Sequence, residues 1–165
     1  MSTPQGKDDA ARKHVLRLIH NGLFVLTART NDAVGAATVS WVSQCSFKPP
    51  LVMVGLRRGS NVHECLRAGG AAVLHVIGRG QEDIARRFFS TTTLEDGRLN
   101  GEPFVENDDG VPLVTSLTNR IECRVRAFHE SGGDHDLVVL DVVRVSRGQD
   151  IAPLTVADSP WEYGG

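Results

Sequence analysis

The chain has 165 residues, a length that suits one domain, and its 41% hydrophobic and 23% charged residues are typical of a globular protein rather than a disordered or fibrous one. The formal net charge of −2 argues against a nucleic acid as main partner, and no apolar run approaches the roughly 20 residues that a membrane helix needs. The three cysteines, Cys45, Cys65 and Cys123, form no CxxC pair, so we expect reduced thiols in a cytoplasmic protein.

The first third of the chain predicts one helix followed by three strands. Residues 1–7 are polar and expected to be flexible, so residues 8–165 form the single domain. Apolar residues recur on one helical face over residues 8–21. Strands are predicted at residues 23–30, 35–42 and 51–56, and the last of these follows Lys48-Pro49-Pro50, which must interrupt regular structure.

The remainder combines short helices with further strands. Helices are predicted at residues 60–68 and 82–89, and strands at residues 71–77, 121–127 and 137–145. Residues 90–118 carry three turn signals and are expected to be mostly loop, and a loop of that length is often a functional flap. Because neighbouring strands leave no room for crossover helices, the pattern predicts an antiparallel β-barrel with peripheral helices.

Two segments have the chemistry of a binding site. Arg57, Arg58 and Gly59 come directly before the predicted helix that begins with Ser60 and Asn61. This segment suits an anion site for phosphate, although a solvated basic turn explains the same residues equally well. Residues 38–46 place hydroxyl and amide side chains in a strand. Such a strand is suited to the polar edge of a flat heterocycle, or it is an edge strand with one polar face.

His135 lies between two carboxylates in a glycine-rich turn. Asp134 and Asp136 would raise its pKa or orient its ring; the alternative is a surface histidine in a hairpin turn. These residues and His129 match no closed zinc set, so no metal site is predicted. The remaining histidines, among them His63 and His75, are expected to be structural.

Residues 36–54, AATVSWVSQCSFKPPLVMV, resemble the motif of the flavin reductase-like family, whose members have the FMN-binding split-barrel fold. This segment is especially similar to the flavin reductase modules at the C-terminal end of cyanobacterial flavodiiron proteins. Further matches follow in family order at residues 58–61, 71–77, 81–88 and 133–135. One departure is His75, which stands where many members have Asn.

The resemblance implies a homodimer that binds FMN or FAD near the subunit interface and reduces it with NADH or NADPH. It also implies which residues bind the flavin. The ring and ribityl contacts would come from Thr38, Val39, Ser40, Trp41, Gln44, Cys45 and Ser46. The phosphate would be held by Arg58, Ser60 and Asn61, and His135 would lie near the nicotinamide or flavin ring as the catalytic residue.

The function expected from this resemblance is an NAD(P)H:flavin oxidoreductase that supplies electrons to a monooxygenase or another redox partner. Two alternatives stay open. One is an electron-relay flavoprotein that holds FMN tightly. The other is a split-barrel protein that binds heme or a deazaflavin and has no flavin reductase turnover.

Overall fold

The computed structural model describes residues 4–162, and most of its regular structure is β-strand. Its main sheet has seven strands, all paired antiparallel: β1 (Phe24–Arg29), β2 (Val34–Val39), β3 (Val42–Ser46), β4 (Leu51–Arg57), β5 (Ala71–Val76), β10 (Arg120–His129) and β11 (His135–Ser146). Their order is β2-β1-β5-β10-β11-β4-β3, and the sheet curls into a half-barrel. The prediction of a mainly β, antiparallel split barrel is confirmed.

The strand predicted over residues 35–42 is divided in the structure. β2 pairs with β1 at one end of the sheet order, whereas β3 pairs with β4 at the other end. The chain crosses from one end to the other at Ser40 and Trp41, between the two strands. These two residues therefore link the two ends of the curled sheet.

Residues 94–114 form a second, four-stranded sheet where a loop is predicted. Its strands are β6 (Leu94–Glu95), β7 (Arg98–Leu99), β8 (Glu102–Glu106) and β9 (Pro112–Val114). Asp96-Gly97 and Asn100-Gly101 make the two tight connections, and all four residues have positive φ, as two-residue hairpin turns require. The turn signals were correct, but strands of two residues are too short to show an alternating pattern.

The three helices lie outside the main sheet: α1 (Pro4–Leu16), α2 (Asn61–Arg67) and α3 (Glu82–Arg87). α1 includes residues 4–7, which the sequence analysis expects to be flexible, while residues 1–3 and 163–165 lie outside the described part. α1 also ends five residues before the predicted position 21. Leu18 and Ile19 are 69% and 61% exposed, so no core packing supports a longer helix.

Two apolar clusters hold the fold together. One fills the curl of the main sheet and includes Leu26, Val54 and Leu140. The other joins the outside of the sheet to the segment after α3 and to the C-terminal tail, and it includes Phe88 and Leu154. None of the helices in residues 4–162 has the length and apolar character needed to cross a membrane.

Candidate functional site

A cavity of about 350 Å³ opens between β2, β4, the start of α2 and the segment that follows α3. Six of the predicted site residues line it: Thr38, Val39, Ser40, Ser60, Asn61 and His135. They come from three separate segments of the chain. The curl of the sheet brings β2 and β4 to the same opening, although the sequence places them on either side of β3.

Ser40 is the buried polar group of this cavity that lacks a partner. The residue is 3% exposed, and within residues 4–162 its Oγ has no hydrogen-bond partner. A buried hydroxyl without a partner is unfavourable by about 1–3 kcal/mol. Ser40 therefore has an unused donor and acceptor at the wall of the cavity, which is what a polar ligand atom would satisfy.

Two other predicted hydroxyls are already used by the fold. Thr38 Oγ1 donates to the carbonyl of Ala85 at 2.7 Å, which fixes β2 to α3. Ser60 is the N-cap of α2: its Oγ accepts from the His63 N–H and donates to the Arg57 carbonyl. The cap explains why α2 begins at Asn61.

The two arginines at the end of β4 have different surroundings. Arg57 lines the cavity and forms no ion pair with any residue in the described part of the chain. Arg58 instead places its Nη2 2.8 Å and its Nε 2.9 Å from Oδ1 of the buried Asp136. Arg57 is the last residue of β4 and lines the cavity, whereas Arg58 lies in the following turn and is not among the lining residues.

His135 begins β11 directly opposite Arg57 in the register. Its Nδ1 lies 2.9 Å from Oδ1 of Asp134, so the ring donates that proton to the carboxylate and leaves Nε2 as the acceptor. This hydrogen bond is the main reason why the pKa of Asp134 is lowered. On its other side the ring packs against Trp41, with centroids 4.4 Å apart and planes inclined by 53°.

Five predicted residues are not among those that line the cavity. Arg58 pairs with Asp136, and Trp41 packs against His135. Gln44, Cys45 and Ser46 belong to β3, at the far end of the sheet order, and the first two are exposed. Gln44 lines a second, largely apolar cavity of about 360 Å³ with Phe24 and Val42. Within one chain these residues do not meet the group formed by Ser40, Arg57 and His135.

His75 is fully buried and structural, as predicted. Its Nδ1 donates to the Val25 carbonyl at 3.0 Å, and its Nε2 accepts from the Val114 N–H at 3.1 Å. Both bonds require the neutral ring, and burial lowers the pKa of His75 to about 4. The ring thereby ties the main sheet to β9.

The sequence analysis missed part of the cavity wall. Phe88, Phe89, Ser90, Thr91 and Thr92 line it, because this segment runs along the open edge of β2. The Phe88 carbonyl accepts from the Thr38 N–H, and Thr92 Oγ1 accepts from the Ala36 N–H. The predicted flap at residues 90–118 could have pointed to this wall, because its first three residues line the cavity.

Comparison with known proteins identifies the family to which the chain is similar. Residues 16–162 match the family described as the flavin reductase like domain. The chain is 29% identical over 145 residues to the FMN reductase (NADH) SmoA of Agrobacterium fabrum, covering 87% of this chain and 80% of that one. It is 27% identical over 146 residues to diflavin flavoprotein A 1 of Synechocystis, covering 87% of this chain but only 25% of that protein. Among solved structures, the styrene monooxygenase flavin reductase SMOB of Pseudomonas putida S12 superposes with a TM-score of 0.73 at 28% identity, covering 90% and 93% of the two chains.

Proposed function

The chain belongs to the flavin reductase-like domain family, and on that premise we propose that it is an NAD(P)H-dependent flavin reductase that acts on FMN or FAD. The observation that carries the proposal is the cavity itself. It combines an unpartnered buried hydroxyl from Ser40, a cation from Arg57 and the ring of His135. The cavity fits a phosphorylated heterocycle because it offers a polar wall and a positive charge beside apolar surface.

When bound, a flavin would supply the two-electron acceptor that takes a hydride from a reduced nicotinamide. The protein would contribute positions rather than covalent chemistry, since hydride transfer needs two flat rings held in contact. Ser40 would hydrogen-bond the polar edge of the flavin, and the backbone of Thr38 and Val39 would pack against it. His135 would lie at the nicotinamide side, with its ring fixed by Asp134 and Trp41.

We assign the direct phosphate contact to Arg57, with Asn61 beside it. Both line the cavity, and no hydrogen bond ties either side chain to another described residue. An unpaired guanidinium is well suited to phosphate because it can donate two parallel hydrogen bonds. Arg58, which the family resemblance implies for this contact, is held by Asp136, and Ser60 acts by capping α2.

The test is to follow NADH and NADPH oxidation by the purified protein with and without FMN or FAD. Oxidation that depends on added or bound flavin is expected, and its absence with all four combinations would refute the proposal. Arg57→Ala should weaken FMN binding by roughly 1.5–3 kcal/mol and leave riboflavin binding unchanged, since riboflavin has no phosphate. Arg67→Ala is the matched control, because Arg67 ends α2 and pairs with Glu130.

The same measurements separate the two alternatives. An electron-relay flavoprotein would retain stoichiometric FMN through gel filtration and show little turnover with free flavin. A heme- or deazaflavin-binding protein would carry a different absorption spectrum and would not oxidise NADH or NADPH when FMN is added.

We also propose that the protein is a cytoplasmic homodimer. Val143 and Val145 are 57% and 66% exposed on β11, next to the apolar cavity at Phe24 and Val42, and a second copy would cover this surface. In such a dimer the exposed residues of β3 in one copy could contact the flavin bound in the cavity of the other copy. A monomer in sedimentation that binds flavin fully would contradict the dimer.

A monooxygenase is the proposed recipient of the reduced flavin. SMOB, which is 28% identical to this chain, is by its name the flavin reductase of a styrene monooxygenase. Under this proposal the reduced flavin leaves the cavity, or its electrons pass to a separate protein. Flavin release after reduction, measured by rapid filtration under anaerobic conditions, is the expected behaviour.

A further inference from the structure

Asp136 is a buried carboxylate directly after His135, and the proposed chemistry does not use it. Its side chain is 1% exposed and fully hydrogen-bonded. Oδ1 accepts from Arg58 Nε at 2.9 Å, from Arg58 Nη2 at 2.8 Å and from the Ser131 N–H at 3.2 Å. Oδ2 accepts from His63 Nε2 at 2.9 Å.

The partners of Asp136 belong to the segments that carry the cavity's polar groups. Arg58 adjoins Arg57 in the turn after β4, and its N–H donates to the Asp134 carbonyl at 3.0 Å. His63 lies in the first turn of α2, and its Nδ1 lies 3.1 Å from Oε1 of Glu64 and 3.4 Å from the backbone nitrogen of Gly59. Ser131 lies in the turn before His135, and its hydroxyl donates to the carbonyl of His135. One carboxylate therefore joins the phosphate turn, residues 57–61, to the nicotinamide turn, residues 131–135.

We propose that Asp136 is a positioning residue, which fixes the phosphate turn and the nicotinamide turn relative to each other. This inference rests on the proposed function, because the two turns would hold the phosphate end of the flavin and the hydride donor. His135 and Asp136 are neighbours on a strand, so their side chains point to opposite sides. His135 faces the cavity, whereas Asp136 is buried on the opposite side of the strand. The hydrogen bonds of Asp136 therefore fix the position of His135 relative to the phosphate turn.

The burial of Asp136 separates this role from that of an ordinary ion pair. Asp141 lies on the same strand and pairs with Arg126 at 2.6 Å, but these side chains are 38% and 47% exposed. Exposed pairs of that kind contribute little to stability or order. A buried carboxylate with four donors fixes its partners tightly, because each loses a necessary hydrogen bond if it moves. The favourable surroundings also lower the pKa of Asp136 to about 2, chiefly through Arg58.

The experiment compares Asp136→Asn with Asp141→Asn. An amide has a single acceptor oxygen, so it cannot satisfy Arg58, Ser131 and His63 together. In folded Asp136→Asn, we expect the preference for FMN over riboflavin and the turnover at saturating substrates each to fall by about tenfold or more, since both rings lose alignment. Asp141→Asn should leave both quantities within about twofold of the wild type.

Arg58→Lys provides a second variant in case Asp136→Asn does not fold. It keeps the charge but cannot donate two hydrogen bonds from one planar group, so the FMN preference and the turnover should both fall while the protein stays folded. Variants that lose thermal stability but keep the wild-type FMN preference and turnover would overturn the proposal and leave Asp136 with a structural role alone.

Amide hydrogen exchange tests the network without any ligand. In Asp136→Asn the amides of Gly59 and Ser131 should both exchange faster than in the wild type, while amides in the β1–β5 ladder do not change. Unchanged exchange at both positions would overturn the inference. If the wild-type protein binds no flavin, the proposed function fails, and the exchange result alone then decides whether Asp136 joins the two turns.

Discussion

Ser40→Ala should move stability and flavin binding in opposite directions. The substitution removes only the hydroxyl, which is buried at the wall of the cavity and has no partner within residues 4–162. In the ligand-free protein the hydroxyl is unfavourable, so its removal stabilises the fold. In the complex the same hydroxyl would bond to the flavin, so its removal weakens binding.

The magnitudes follow from the burial of Ser40. An unsatisfied buried hydroxyl is unfavourable by about 1–3 kcal/mol, and we expect Ser40→Ala to raise the free energy of unfolding by about 1 kcal/mol. For a chain of this length such a change raises Tm by about 2–4 °C. One neutral hydrogen bond contributes about 1 kcal/mol to binding, so the Kd for FMN should rise about fivefold.

The assay is thermal unfolding of the ligand-free protein together with an FMN titration. Ser159→Ala is the matched control, because Ser159 lines the small neighbouring cavity but its hydroxyl donates to the Val156 carbonyl at 2.8 Å. Removing that satisfied hydroxyl should lower Tm and leave flavin affinity nearly unchanged. A Ser40→Ala protein with lower Tm and wild-type affinity for FMN would refute the reasoning.

Three further predictions concern other parts of the molecule. His135→Ala should lower hydride-transfer rate or NAD(P)H affinity by about tenfold to a hundredfold in stopped-flow assays, with flavin affinity nearly intact; unchanged kinetics would make His135 a turn residue. Burial lowers the pKa of His75 from 6.5 to about 4, so on acidification the ring is protonated in the unfolded state before it is protonated in the folded state. The free energy of unfolding should therefore fall by about 3 kcal/mol as the pH drops from 6.5 to 4. In His75→Gln, denaturant titrations between pH 6.5 and pH 4 should show a free energy of unfolding that changes much less with pH. Gly35→Ala would place a Cβ 2.5 Å from the backbone of Val62, so chemical denaturation should show a loss of about 1–3 kcal/mol; a neutral result would mean that α2 can shift away from β2.

Much of the fold was determined by local sequence. Apolar strands with no room for crossover helices predicted an antiparallel barrel, and the main sheet has that form. Asp96-Gly97 and Asn100-Gly101 marked hairpin turns because these residues tolerate positive φ. The motif in residues 36–54 predicted the family, and the match over residues 16–162 confirms it.

Tertiary structure alone decided which residues share the cavity. The sequence cannot show that β2 and β3 pair with opposite ends of one sheet, because pairing depends on strands far apart in the chain. That pairing brings Ser40 to the cavity and leaves Gln44 outside it. The segment after α3 became a wall for the same reason, since the open edge of β2 needed partners for its N–H groups.

The roles of Arg57 and Arg58 were also undetermined by sequence. Two adjacent cations predict an anion site equally well, and the family order favoured Arg58. The structure distinguishes them because Asp136, 78 residues further along, accepts hydrogen bonds from the Arg58 guanidinium, whereas Arg57 lines the cavity. A buried carboxylate must find donors, and the nearest arginine becomes its partner rather than the ligand's. Residue chemistry predicted an anion site at this turn, whereas the surroundings of each arginine were set by the strand β11, which carries Asp136.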